Sequence, residues 1–144
     1  MKALCFFALL SAVWAAAQTA NPNVLHVHIA GMRSDQGNVM CALYASPDGF
    51  PKDGKKARAQ ASSSISNRQA ECDFPGIAPG TYAVAVFHDE NSNGRLDSNF
   101  MGIPREGVGA SNDAKTRFGP PKFEDAAFSY PGGAVDLKIT MKYL

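Results

Sequence analysis

The sequence predicts an all-β protein, an antiparallel two-sheet sandwich of about seven strands that carries one long ordered loop. Three observations predict it. After residue 20 no segment repeats apolar residues at helical spacing. Several short stretches instead alternate apolar with polar residues, which is the period of a half-buried strand. Between them stand clusters of Gly, Pro, Asn, Asp and Ser that turn the chain, without the helical crossovers that parallel sheets use.

The first residues are set apart from the fold. Met1-Lys2 gives a basic start and Ala3 to Ala17 an apolar stretch ending in small side chains. This is the pattern of a secretory leader cleaved after Ala17, with Ala20 as the less regular alternative. The stretch is short for a membrane span, and no later segment approaches the roughly 20 apolar residues that a spanning helix needs. The exported chain, residues 18–144, is then a single domain in the periplasm or the extracellular medium. Loss of Lys2 leaves 13 Lys+Arg against 13 Asp+Glu. That balance argues against nucleic acid or a charged lipid surface as partner, since both select a basic surplus.

The strands follow in order. "NVLHVHIAGM" places Leu25, Val27 and Ile29 on one face and His26 and His28 on the other. "GNVMCALYAS" follows a turn and groups Val39, Cys41 and Leu43. Residues 46–67 are rich in Pro, Gly, Lys and Ser and read as a long exposed connection with room for a short helical turn. "RQAECDFPGI" turns Ala70, Cys72 and Phe74 inward and Glu71 and Asp73 outward. "APGTYAVAVFHD" starts at a Pro-Gly turn and is almost unbroken in its apolarity, which predicts a central strand covered on both faces. Residues 98–122, with Gly102, Pro104, Gly107, Gly109, Gly119, Pro120 and Pro121, read as the long loop. "FEDAAFSY" reads as a short strand. "GAVDLKITMKY" closes the chain with Val135, Leu137, Ile139, Met141 and Tyr143 alternating against Asp136, Lys138, Thr140 and Lys142.

Cys5 leaves with the leader, so Cys41 and Cys72 remain, both on inward positions. In an oxidising compartment their expected state is a disulfide, and two free buried thiols are the competing state. Their spacing excludes a CxxC metal or redox site.

"FPGIAPGTYAVAV" resembles the pattern of prealbumin-like sandwich modules, among them carboxypeptidase regulatory-like domains and adhesin B-type repeats. The longer run "GTYAVAVFHDENSNGRLDSNFMGIPREGVGASNDA", followed by "FGPPKFEDAAFSY", resembles the secreted bacterial family called domain of unknown function 2141. The resemblance covers most of residues 24–144. It is carried by Gly80, Tyr82, Ala83, Phe87, His88, Asp89, Asn91, Asn93, Gly94, Leu96, Asp97, Gly102, Pro104, Glu106, Gly107, Ser111 and Asn112, with Val108 standing where an aromatic is more usual. It implies export and a prealbumin or immunoglobulin-like sandwich, and it names no reaction.

Chemistry concentrates in "HDENSNGRLD", residues 88–97. Calcium takes about six to eight oxygens, and alternate oxygen side chains around a glycine turn can converge on it. Asp89, Asn91 and Asn93 take the first, third and fifth places of such a loop, Gly94 the turn, the Arg95 carbonyl the seventh and Asp97 the ninth. Phe100 stands where an EF-hand has its closing acid, and flanking helices are not evident, so an EF-hand is rejected. The remaining candidate is a short extracellular-type calcium loop that draws a further carboxylate from Glu106, Asp113 or Asp125, with a Kd of about 10⁻⁴ to 10⁻³ M. The competing reading is a turn satisfied by its own hydrogen bonds.

His26 and His28 share a strand face, half of a transition-metal arrangement, with His88 as candidate third ligand; solvent-facing histidines are the plainer reading. A small periplasmic hydrolase would use His88, Asp89 and Glu106 as acid/base groups and Ser111 as nucleophile. The sequence holds no GxSxG, HExxH or phosphate-cradling loop. A module without enzymatic activity is therefore expected, whose surface at His88, Arg105, Glu106, Ser111 and Asn112 meets an unidentified extracytoplasmic ligand or protein. Exposed aromatic side chains in that loop would support such a surface.

Overall fold

The computed structural model describes residues 22–115 and 118–144. The leader, with both of its cleavage positions, lies outside them. Among the described residues the chain forms β1 (Val24–Ala30), β2 (Asn38–Tyr44), β3 (Ala59–Ser64), β4 (Gln69–Pro75), β5 (Gly80–Asp89), β6 (Val108–Ala110), a helical turn α1 (Phe123–Ala126), β7 (Phe128–Tyr130) and β8 (Ala134–Thr140). Two sheets pack as a sandwich, one in the order β4-β1-β8 and the other β3-β2-β5-β6, with β7 paired to the start of β5.

Alternation decides which side of each strand is buried. Leu25, Val27 and Ile29 from β1 meet Val39 and Leu43 from β2, Phe74 from β4, and Tyr82, Val84 and Val86 from β5. These side chains fill the space between the sheets, and each buried aliphatic one contributes about 1.5–3 kcal/mol of transfer free energy. Cys41 and Cys72 are bonded to each other and almost fully buried. The bridge ties β2 of one sheet to β4 of the other. The other face of β5 is covered as well, because Ala83 packs with Ala110, Ala126, Phe50 and Phe123. Small side chains there let Ala110 and Ala126 lie close on the strand, which accounts for its unbroken apolar run.

Three features depart from the strand reading. β1 and β8 are parallel, with Val24 opposite Ala134 and Ile29 opposite Ile139. Both strands start from one end of the sandwich, where Val24 N–H donates to the Gly133 carbonyl and Gly133 N–H to Asn23 Oδ1. Residues 46–67, read as a connection, contain β3 as an edge strand on β2. It alternates half-buried Ala59, Ala61 and Ser63 with exposed Gln60, Ser62 and Ser64, a contrast without large apolar residues. The short strand β6 lies inside the segment read as one loop, and "FEDAAFSY" divides into α1 and β7.

Candidate functional site

β5 runs out of the core at Asp89, and the chain turns back on itself at once. The Asp89 carboxylate is buried and accepts from the backbone of Asn93 at 3.1 Å and of Gly94 at 2.8 Å. Gly94 has φ of +75°, a left-handed conformation that glycine adopts without steric cost. Asn91 Oδ1 accepts from Asn93 N–H, and Asn93 Oδ1 from Arg95 N–H. The Asp97 carboxylate accepts from the side-chain amides of Asn91 at 2.6 Å and Asn93 at 2.9 Å. Those two hydrogen bonds, Asn93 first, hold its pKa below the usual carboxylate value.

Of the three acids considered as additions to this loop, Glu106 reaches it. Its Oε1 accepts from Glu90 N–H at 2.9 Å and its Oε2 from Asp97 N–H at 3.0 Å, so one buried carboxylate staples both ends of the turn. Asp113 is used elsewhere, accepting from Thr140 N–H, and Asp125 is exposed within α1. Among the described residues, the ion pairs made by Arg and Lys side chains are Arg33–Glu90 and Lys56–Asp48; Asp89, Asp97 and Glu106 take no part in them.

Beyond Asp97 the chain forms a tight hairpin. Asn99 closes it: its side-chain oxygen accepts from Met101 and Ile103 N–H, and its backbone bonds Gly102 and Ile103. Arg105 N–H returns to the Asp97 carbonyl at 2.8 Å. At the tip Phe100 is 96% exposed, with Met101 and Ile103 also in solvent. The residue standing in place of an EF-hand acid is thus the apex of a hydrogen-bonded, apolar tip.

His88 is fully buried on the inner face of β5. Its Nε2 lies 2.6 Å from the Gln36 carbonyl, which can only accept, so Nε2 carries the hydrogen. Its Nδ1 lies 2.7 Å from the Tyr143 hydroxyl, which itself accepts from Arg33 N–H. Arg33 stacks on the Tyr143 ring at 4.6 Å and forms an ion pair with Glu90 Oε1 at 2.5 Å. Arg33, Gln36, Glu90 and Tyr143 carry no sequence signal that links them to His88; only the tertiary fold places them around it.

The expected surface is largely interior. His88, Glu106 and Ser111 are buried because each closes main-chain hydrogen bonds; Arg105 and Asn112 are exposed. Ser111 Oγ accepts from Val84 N–H at 2.9 Å and lies 2.5 Å from the Ala126 carbonyl. Val84 and His88 are four residues apart on one strand, roughly 13 Å, so Ser111 and His88 do not converge. Nor does His88 join His26 and His28, which project from the outer face of the other sheet.

There the two histidines meet carboxylates from both neighbouring strands. His26 Nδ1 lies 2.6 Å from Asp73 Oδ1, and His28 bonds Glu71 at 3.0 Å and Asp136 at 2.8 Å. The hydrogen bond that His26 donates to Asp73 raises the His26 pKa above the ordinary 6.5. The hydrogen bond from His28 lowers that of Asp136 below 3.8. The His26 contribution to stability is therefore complete below pH 6.5 and is lost as pH rises through its raised value. The Asp136 contribution is present above 3.8 and is lost as pH falls through its lowered value. Both operate between about pH 4 and 6.5. Proton NMR titration in chelator-containing buffer is expected to give a His26 midpoint above 6.5 that falls back in Asp73→Asn.

A family model described as "Uncharacterized protein conserved in bacteria (DUF2141)" matches residues 27–138. The chain belongs to this family. The match runs from Val27 within β1 to Lys138 within β8, so the Asp89–Asp97 turn, the Phe100 tip, His28, Glu71, Asp73 and Asp136 lie within the DUF2141 region, and His26 stands one residue before it. No curated protein and no solved structure matches the chain.

Proposed function

We propose that this DUF2141 protein is an exported, non-enzymatic binding module. In this reading the Asp89–Asp97 turn binds calcium, and the hairpin behind it presents an apolar tip to an extracytoplasmic ligand or protein. The observation that carries the reading is that Asp89, Asp97 and Glu106 each hold N–H groups of one turn, at the base of a hairpin whose Phe100 is 96% exposed. Carboxylate and amide oxygens are the ligands that a hard divalent cation takes. Ordered apolar side chains in solvent are characteristic of contact surfaces. Export is supported by the disulfide, which persists in oxidising compartments, and by the leader pattern. Among the described residues no helix is long and apolar enough to cross a membrane. The separation of Ser111 from His88 supports a role without catalysis.

Calcium titration tests the reading. With a Kd of about 10⁻⁴ to 10⁻³ M, 10 mM calcium stabilises the fold by roughly 1.5–3 kcal/mol and raises Tm. The same addition leaves Tm unchanged in Asp97→Asn. A wild-type Tm that does not move at 10 mM removes calcium from the proposal.

A further inference from the structure

We infer that the outer face of the β4-β1-β8 sheet is a binding site for a divalent transition-metal ion of the zinc and copper class, built from His26, His28, Glu71 and Asp73. The site is separate from the Asp89–Asp97 turn and does not depend on the calcium reading.

The placement follows from register. On β1, His26 and His28 point the same way because they are two residues apart. β4 sets Asp73 opposite His26 and Glu71 opposite His28, and β8 sets Asp136 and Lys138 opposite the same two residues. One sheet face thus collects two imidazoles and three carboxylates. One donor atom each from His26, Glu71 and Asp73 fall within 4.8 Å of one another.

Spacing suits a small ion. A tetrahedral metal bonded to nitrogen and oxygen at about 2.0–2.1 Å separates its ligands by roughly 3.3 Å. His26 Nδ1 lies 3.6 Å from Glu71 Oε1 and 2.6 Å from Asp73 Oδ1. A small rotation of the half-exposed Asp73 carboxylate opens the second distance. His28 stands beside this group with Nδ1 3.0 Å from the other Glu71 oxygen, so Glu71 links both rings. Asp136 holds His28 Nε2 at 2.8 Å, which leaves Nδ1 directed at Glu71. A carboxylate on the far nitrogen of a ligating histidine fixes the ring and raises its basicity.

Charge favours the same occupant. Register places Lys138 beside Glu71, Asp73 and Asp136, so three carboxylates outweigh the lysine there, and one divalent ion offsets the difference. The donors are imidazole and carboxylate without thiolate, which suits zinc and copper(II) better than calcium, and copper binds more tightly than zinc in such sets.

The test is calorimetric titration of the purified protein with zinc chloride and with copper(II) chloride at pH 7.4. One saturable equivalent is expected for each ion, with copper the tighter. Affinity falls at least tenfold in His26→Gln and in Glu71→Gln, and by about tenfold in Asp136→Asn. It is unchanged in Asp97→Asn, which separates this site from the calcium turn. Substoichiometric copper broadens the imidazole NMR signals of His26 and His28 and spares His88. The variants alter exposed side chains, and unchanged near-ultraviolet circular dichroism verifies their folds. Absence of saturable binding for both ions overturns the inference and leaves the face as histidine–carboxylate pairs alone. Binding that survives His26→Gln at full affinity overturns it equally, by placing the ion elsewhere.

Discussion

Replacing Cys41 and Cys72 together by alanine is expected to lower the unfolding free energy by roughly 3–4 kcal/mol. The cysteines are 31 residues apart in sequence, and opening that loop restores its closure entropy to the unfolded chain. For a domain of this size the loss corresponds to a fall in Tm of roughly 10–15 °C. Stabilities of domains of this class are about 5–15 kcal/mol, so a large share of the total is involved. The bridge also acts at a particular place: it joins the two sheets, and β4 neighbours β1, the central strand of its sheet. Denaturant unfolding of the double variant measures the effect. A loss below about 1 kcal/mol would show that the unfolded chain is already restricted across residues 41–72 without the bond. The double variant is preferred to a single one, which leaves a reactive thiol.

The disulfide was legible because alternation assigns a face before any strand is placed. Val39, Cys41 and Leu43 share one side of their strand and Ala70, Cys72 and Phe74 one side of theirs, and both sides face the core, with Ala70 half-buried at its edge. The same rule put His26 and His28 outward, with Glu71, Asp73 and Asp136 outward on other strands. What alternation cannot supply is the order of strands within a sheet. His88 is the third histidine of the sequence beside His26 and His28, yet the groups that meet them are acids from β4 and β8, which flank β1. The parallel β1–β8 pair is equally a property of order. β3 escaped notice because Ala59, Ala61 and Ser63 give little hydrophobic contrast, and β6 because three residues are too few to show a period. Within the candidate site, the convergence of Asp89, Asn91, Asn93 and Asp97 on one turn was local and therefore readable. The return of Glu106, the burial of Ser111 and the Arg33–Tyr143–His88 cluster depend on contacts distant in sequence.

Gly37→Ala is expected to destabilise the fold by roughly 3–5 kcal/mol, in the upper tail of single substitutions. Gly37 has φ of +70°, where an alanine costs about 1 kcal/mol through its Cβ alone. The larger part is overlap. A Cβ here would collide with the Asp89 carbonyl oxygen and lie 2.8 Å from both the Asp89 carbonyl carbon and Glu90 Cα. All three are backbone atoms, so no side-chain rotation relieves the contact. Residues 89–90 must move, and with them the Asp89 carboxylate that holds Asn93 and Gly94 and the Glu90 amide that holds Glu106. Under the proposed calcium reading, the calcium response is therefore expected to disappear together with stability. Gly94→Ala separates the two causes: Gly94 has nearly the same φ, +75°, but open space where its Cβ would point. It should cost only about 1 kcal/mol, the backbone penalty without the collision. Chemical denaturation of both variants beside the wild type decides the matter. Equal losses at the two glycines would mean that the β2 entrance yields to Asp89, and that the turn is not braced against Gly37.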